Sequence, residues 1–246
     1  ADIQAWVKNP PPTTNAIVYI PVVFHVMYNT ASQNVSAAII NLQMDRLNKD
    51  YSKTNTDWTK TPPVYQPLVA DCEIQFCLAS KDPSGNPTSG IERKQTTVTA
   101  YSAGSNDMKD PAQGGLAIWD RNKYLNIWVC NIAGGVLGWT TFPGAPASVD
   151  GVVIDNSGLP GQTNSGAYDW GRTGTHEVGH WFALYHNFGT GGCTDDAVSD
   201  TPIQQNYNGG CPGFPKVTCS NGPNGDMFMN YMDYTDDACM YMFTNG

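Results

Sequence analysis

Thr175-His176-Glu177-Val178-Gly179-His180-Trp181-Phe182-Ala183-Leu184-Tyr185-His186 carries three of the four histidines in the chain. His176 and His180 are four residues apart, so on a helix they share one face and can hold one metal ion. Glu177 sits beside the first histidine, where a general base for a metal-bound water is needed. His186 lies six residues beyond His180 and off that face, so the helix must end and the chain must turn back. Three neutral imidazoles leave one zinc position open, the layout of a catalytic site and not of a closed structural one. The stretch predicts a zinc endopeptidase.

An ordinary amphipathic helix also explains Val178, Trp181, Phe182 and Leu184 as core residues, and HExxH strings arise by chance. Two features weigh against that reading. The third histidine stands at the distance of the extended metzincin pattern HExxHxxGxxH. A methionine-bearing stretch, Asn230-Tyr231-Met232-Asp233-Tyr234, follows downstream.

The 246 residues suffice for one large domain or two small lobes with a real core. Hydrophobic residues make up 40%, which excludes a disordered chain. No apolar run is long enough to span a bilayer as a helix. The net charge of −9, with only 13 Lys and Arg, argues against nucleic acid and mildly favours cationic ligands. Simple solubility of a secreted protein explains the same acidity. Four of the seven cysteines, Cys193, Cys211, Cys219 and Cys239, fall in a Gly-, Asn- and Pro-rich tail with little periodicity. A long irregular stretch needs disulfides or ions to hold it, which points to an oxidising, extracellular compartment. A structural zinc site is the alternative, ranked lower because no C-x-x-C pair is present. Ala1-Asp2-Ile3-Gln4 is not a signal peptide, so a leader and any pro-segment are expected to have been removed.

Residues 1–16, with Pro10-Pro11-Pro12, read as an extended lead-in. Ile17 to Tyr28 is apolar and β-branched, a buried strand. His25 within it reads as a packed, hydrogen-bonded strand histidine, since three histidines already complete a catalytic set. From Ser36 to Tyr51, the spacing of Ile40, Met44, Leu47 and Tyr51 predicts an amphipathic helix on a sheet, capped by Ser36. Residues 52–70 read as loop. Cys72 to Ala79 alternates as a second strand, which would hold Cys72 and Cys77 about 16 Å apart and unable to pair with each other. Residues 81–90 are a turn region, Ile91 to Tyr101 a ragged strand, and Leu125 to Asn131 a strong one. From Ile132 to Thr141, glycines interrupt an apolar strand. This is either an exposed edge to which an extended substrate adds as one more strand, or a plain Gly-rich connection. Gly135, Val136, Leu137 and Gly138 are the substrate-binding candidates on that edge. Gly151 to Asp155 is a further strand, 156–166 a loop, and the active-site helix starts near Tyr168 to Gly171.

The expected fold is therefore mixed α/β (α+β). A lobe over residues 1–180 combines a twisted sheet, a backing helix and the active-site helix. An irregular lobe follows over 181–246 within one catalytic domain, and the substrate cleft runs between the two.

HEVGHWFALYH, GGCTDDAVSDTP and NYMDYTDDACM together resemble the pappalysin family of metzincin metallopeptidases, and the strands IPVVFHV and LNIWVCN resemble that family too. The resemblance spans most of Ile17 to Phe243. It implies that His176, His180 and His186 bind zinc, and that Glu177 takes a proton from the zinc-bound water and passes it to the leaving amine. It further implies that Met232 is the apolar Met-turn floor and that Tyr234 swings toward the metal or the oxyanion. The family pattern pairs Cys193 with Cys219 and Cys211 with Cys239. It likens Asp195-Asp196-Ala197-Val198-Ser199-Asp200-Thr201 to a calcium-binding loop, with Asp195, Asp196, Val198, Asp200 and Thr201 as ligands; a solvated acidic turn is the bland alternative. Asp237 matches the aspartate at the base of the S1′ pocket, which implies cleavage on the amino side of Arg or Lys. Asp236 beside it could exchange roles with it. The implied protein is a secreted hydrolase made as a zymogen, acting on protein or peptide substrates, with no nucleic-acid or membrane partner.

The chain departs from the family at Ala183, where relatives carry the glycine that lets the helix break. Either the backbone there needs no positive φ, or the turn is strained by about 1 kcal/mol or more. Cys72, Cys77 and Cys130 have no evident partners. Two competing functions are a catalytically silent binding module and a different zinc hydrolase such as an amidase. The intact Glu177 weighs against the first, the methionine stretch and the edge strand against the second.

Overall fold

The computed structural model describes residues 16–162 and 166–246. The lead-in expected over 1–16, except its last residue, and the middle of the 156–166 loop lie outside the described residues. The ordered elements are β1 (Val18–Tyr28), α1 (Ala37–Tyr51), β2 (Ile74–Leu78), β3 (Ile91–Gln95), β4 (Leu125–Cys130), β5 (Gly138–Thr140), β6 (Val152–Asp155) and α2 (Arg172–Trp181).

The strands form one sheet in the order β2-β1-β4-β6-β5, with β3 continuing the β2 side along the second half of β1. All pairs are parallel except β5–β6, so the sheet ends on one side in a short antiparallel edge strand. The pleat sorts β1 cleanly. Val22, Phe24 and Val26 face the main core, together with Leu125, Ile127 and Val129 of β4 and Val152 and Ile154 of β6. On the opposite face, Met27, Trp128 and Val153 pack against Met108 and Tyr101 from the loops.

Helix α1 covers the main core. Ile40, Met44, Leu47 and Tyr51 are its buried stripe, and Ser36 Oγ caps it by accepting from Ile39 N at 3.3 Å. His25 is fully buried, hydrogen bonded to Glu92 Oε2 and Asn126 Oδ1 at 2.7 and 2.9 Å and stacked on Trp128. It is the packed strand histidine expected.

Three expected strands are trimmed. β2 begins at Ile74 and not Cys72, because Glu73 takes φ 55°, which interrupts the extended run. Cys72, Cys77 and Cys130 form no disulfide. β3 stops at Gln95, where its partner β1 also ends at Tyr28, so the ladder does not continue over residues 96–100, and Tyr101 forms only an isolated bridge to Ile132. In the Gly-interrupted stretch the strand survives only as β5; Ala133–Gly135 is a short 3-10 turn in which Gly134 and Gly135 take φ 84° and 75°.

Beyond Trp181, the described chain has no α-helix or strand, only a 3-10 turn at Asp237–Cys239. Two disulfides staple it, Cys193–Cys219 and Cys211–Cys239, with Cα atoms 5.6 and 5.5 Å apart. The buried Asp233 carboxylate gathers the rest, accepting from Asn208 N, Tyr234 N and the amides of Gln204 and Asn208. This is how a segment with no ladder satisfies its polar groups.

Candidate active site

Helix α2 places His176 and His180 one turn apart on the face toward the irregular lobe. Each ring is fixed through Nδ1, which donates to the Tyr231 carbonyl for His176 and to the Leu184 carbonyl for His180, both at 2.7 Å. Those bonds set the tautomer and leave both Nε2 lone pairs pointing inward. His180 Nε2 stands 3.0 Å from the Nε2 of both His176 and His186. Two inward lone pairs at that distance repel unless a cation lies between them. Burial lowers the pKa of all three rings, His186 to about 3, so the neutral, ligating form is the stable one. The donor set thus fits a zinc ion with an open coordination position.

The turn that delivers His186 is built on Ala183. After the helix ends, Ala183 N and Leu184 N donate to the carbonyls of His180 and Gly179, and Ala183 sits at φ 76°. The strained alternative is therefore the one realised, at a cost of about 1 kcal/mol against glycine. The turn still brings His186 onto the other two rings.

Met232 lies beneath the cluster, 3% exposed. Its Sδ would stand 2.5 Å from a Cβ at position 179, so Gly179 must lack a side chain for the two segments to close. Tyr234 Oη reaches His186 Nε2 at 3.0 Å, and the side chain is 43% exposed, free on its cleft side.

Glu177 projects to the other side of the histidines, beneath β5. Thr140 Oγ1 lies 2.7 Å from the Glu177 carbonyl and 3.0 Å from Oε2, so one hydroxyl ties the strand to both acceptors. Burial pushes the Glu177 carboxyl up to about 8, partly opposed by the Thr140 bond. A dication on the adjacent histidines would favour the carboxylate and bring it back down.

Gly135, Val136, Leu137 and Gly138 border a cleft of about 560 Å³, with His176, Glu177, Thr173, Tyr168, Tyr234 and Asp237 around it. Asp237 is at the buried end. Its Oδ2 accepts from Trp170 N at 2.9 Å and Arg172 N at 3.2 Å, capping the start of α2. Burial raises its pKa to about 6 against the pull of those bonds. Asp236 is half-buried and does not line the cleft.

Arg172 lies at the floor of this cleft, and its sequence context carries no motif that marks it. Its guanidinium is fully buried, forked onto Asp57 at 2.7 and 2.8 Å, and donates to the Asp237 carbonyl at 2.6 Å and to Asp50 at 3.4 Å. Thr175 Oγ1 donates to the other Asp50 oxygen at 2.8 Å. Only the composition hints at it: an arginine opening a catalytic helix needs a carboxylate if buried. Thr140 had a clearer signal, since it shares the pleat face of Gly138 on the edge strand.

In the acidic loop, Asp196 is buried and accepts from Val198 N and Thr201 Oγ1. Asp195 is exposed, and one oxygen of Asp200 is buried without a partner while the other accepts from Gly246 N. Among the described residues, the three histidines are the one cluster of three or more such donors within 4.8 Å. The loop therefore does not bring three carboxylates together.

Against known proteins, the Peptidase_M43 family model, described as pregnancy-associated plasma protein-A, matches residues 113–246. An extracellular metalloprotease of Pyricularia oryzae is 33% identical over 90% of this chain and 69% of its own length. One from Verticillium alfalfae is 46% identical over half of this chain, and the match spans 46% of that relative. Mature mirolysin of Tannerella forsythia, solved with a cleaved peptide, superposes with a TM-score of 0.91 at 44% identity, covering 94% of this chain and 88% of that one. A promirolysin variant from the same organism gives a TM-score of 0.95 at 42% identity.

Proposed function

Because the chain belongs to the Peptidase_M43 (pappalysin) family of zinc metalloendopeptidases, whose relatives are extracellular metalloproteases, we propose that it cuts peptide chains on the amino side of Arg or Lys, with Glu177 carrying the proton. The observation that carries the reading is the convergence of three Nε2 atoms beside a buried Glu177 at an edge strand. His176, His180 and His186 would hold the zinc ion, which would supply Lewis acidity at this point of the cleft. The remaining steps belong to the chain. The edge at Gly138–Thr140 receives an extended substrate and aligns its backbone. Glu177, oriented by Thr140, takes the proton of the attacking water and delivers it to the leaving nitrogen. Tyr234 Oη, resting on His186, is free to turn and donate to the charge that develops on the scissile oxygen. Met232 supports the histidines from below and binds nothing.

Asp237 supplies the basic preference. Asp50 and Asp57 lie behind the cleft and engage the one guanidinium nearby, that of Arg172, while Asp237 lines the cleft itself. A substrate guanidinium or ammonium there gains a charge-assisted pair. Asp237→Ala is expected to lower the preference for Arg and Lys over Leu about 10²-fold in kcat/KM, the size of two lost charged hydrogen bonds. The preference should also weaken as pH falls through about 6, where the free Asp237 takes up a proton. Peptide pairs that differ only at that residue measure both effects, and an unchanged profile would remove Asp237 from specificity.

The acidic loop is proposed to hold calcium through Asp196, Asp200, the Val198 carbonyl and Thr201, with Asp195 closing over the ion. The unpartnered, buried Asp200 oxygen supports this. A calcium-selective chelator is expected to lower the melting temperature by several degrees, the equivalent of about 1–3 kcal/mol. An unchanged melt with zinc retained would make the loop a simple acidic turn.

A further inference from the structure

The β5 segment runs on past Glu177 to Phe142, where two aromatic rings stand at the surface with no part in holding metal. Phe142 and Tyr185 stack at 5.5 Å with 25° between their planes, and Phe142 lies 5.3 Å from the His180 ring. They remain 38% and 52% exposed. Two large apolar side chains stacked and left open beside a catalytic centre are a binding surface in waiting.

Their place along the edge gives them a role. Gly138 approaches Glu177, Thr140 holds it, and Phe142 follows two residues beyond the end of β5, within about 7 Å of chain. At the other end, Val136 and Leu137 border the cavity of Asp237. Glu177 thus stands between that cavity and the aromatic pair. The next step rests on the proposed cut before Arg or Lys. With the basic residue in the Asp237 cavity, the residues that precede the scissile bond must lie at the Phe142 end. The substrate then runs antiparallel to β5, continuing the antiparallel pairing of β5 with β6. We propose that Phe142 and Tyr185 form an apolar subsite for the side chain about two residues before the scissile bond, which selects large aliphatic and aromatic residues there.

Tyr185 reaches this position because Ala183 turns the chain between the second and third histidines. The loop that delivers a ligand thereby also delivers one wall of the subsite. An aromatic substrate ring gains a stacking partner, and an aliphatic one covers ring surface already held rigid.

The test is equilibrium binding to zinc-loaded protein carrying Glu177→Ala, so that peptides bind without turnover. The peptides carry Arg after the target bond and differ only two residues before it, in Phe, Leu, Gly or Asp. Phe and Leu peptides are expected to bind about 10-fold tighter than Gly, the discrimination of an apolar pocket. Phe142→Ala and Tyr185→Ala should each remove most of that ratio and leave the affinity for the Gly peptide unchanged. The same ratios should appear in kcat/KM with Glu177 restored. A ratio unaltered by both substitutions overturns the subsite. So does a variant that weakens the Gly peptide as much as the Phe peptide, which would assign the rings to propping His180. If the unsubstituted enzyme cuts, but not before Arg, the proposed function fails first and takes the assignment of this end with it. Cuts before Arg with a flat ratio would overturn the subsite alone.

Discussion

Glu177→Ala is expected to leave the fold and the zinc content intact and to lower kcat by about 10²–10⁴-fold, the usual worth of a positioned proton carrier. The carboxylate is hydrogen bonded to Thr140, and the backbone carbonyls that anchor His176 and His180 belong to Tyr231 and Leu184, so its removal is expected to leave the three Nε2 atoms in place. Metal-free stability should not fall for want of the charge. Folding raises this carboxyl from its ordinary 4.5 to about 8. A group raised in that direction destabilises the folded state progressively as pH climbs from the unfolded to the folded value, and the alanine variant escapes this penalty. Zinc content, a thermal melt and peptide hydrolysis on one preparation check the three parts. Hydrolysis at the unsubstituted rate would remove Glu177 from the mechanism.

The second large effect concerns stability. Arg172→Leu is expected to cost about 3–5 kcal/mol, because it strands two buried carboxylates without their cation. Burial pushes Asp57 up, but the hydrogen bonds and charge of Arg172 outweigh it and hold the group below its ordinary range. Asp50 lies deeper, and burial leaves it raised despite the same guanidinium. Without Arg172, both carboxylates should be raised. Their penalty is then complete above the folded pKa values and shrinks as pH falls toward 4, where each takes a proton. Urea melts at pH 7 and near pH 5 should therefore show a smaller deficit at the lower pH. A pH 7 deficit below about 1 kcal/mol would mean that water reaches these groups and that the network beneath the helix matters little.

Sequence spacing and structure coincide most where the geometry is local. The placement of His176, Glu177 and His180 is legible because helical spacing alone puts two imidazoles on one face with a carboxyl beside the first. Val22 to Met27 are legible because a strand buried on both faces has one composition. The Gly-rich stretch was ambiguous for a physical reason: Gly134 and Gly135 turn at positive φ while Gly138 lies in a strand, and glycine allows both. The shortened β3 depends on where β1 ends, which its own residues do not encode. The Arg172 network is not legible because its partners Asp50 and Asp57 precede it by 122 and 115 residues. Phe142 likewise meets Tyr185 only once the edge strand lies over α2. Ala183 is the reverse case. Its chemistry argues against a left-handed turn, yet Ala183 takes φ 76° between His180 and His186, whose Nε2 atoms meet at 3.0 Å.

A cleavage-site profile on a denatured protein mixture, read by mass spectrometry with and without a zinc chelator, tests the central claim most directly. Cuts that fall before Arg and Lys and vanish with the chelator are the predicted result. Cuts that persist without zinc, or no cuts from folded, zinc-loaded protein, would contradict it.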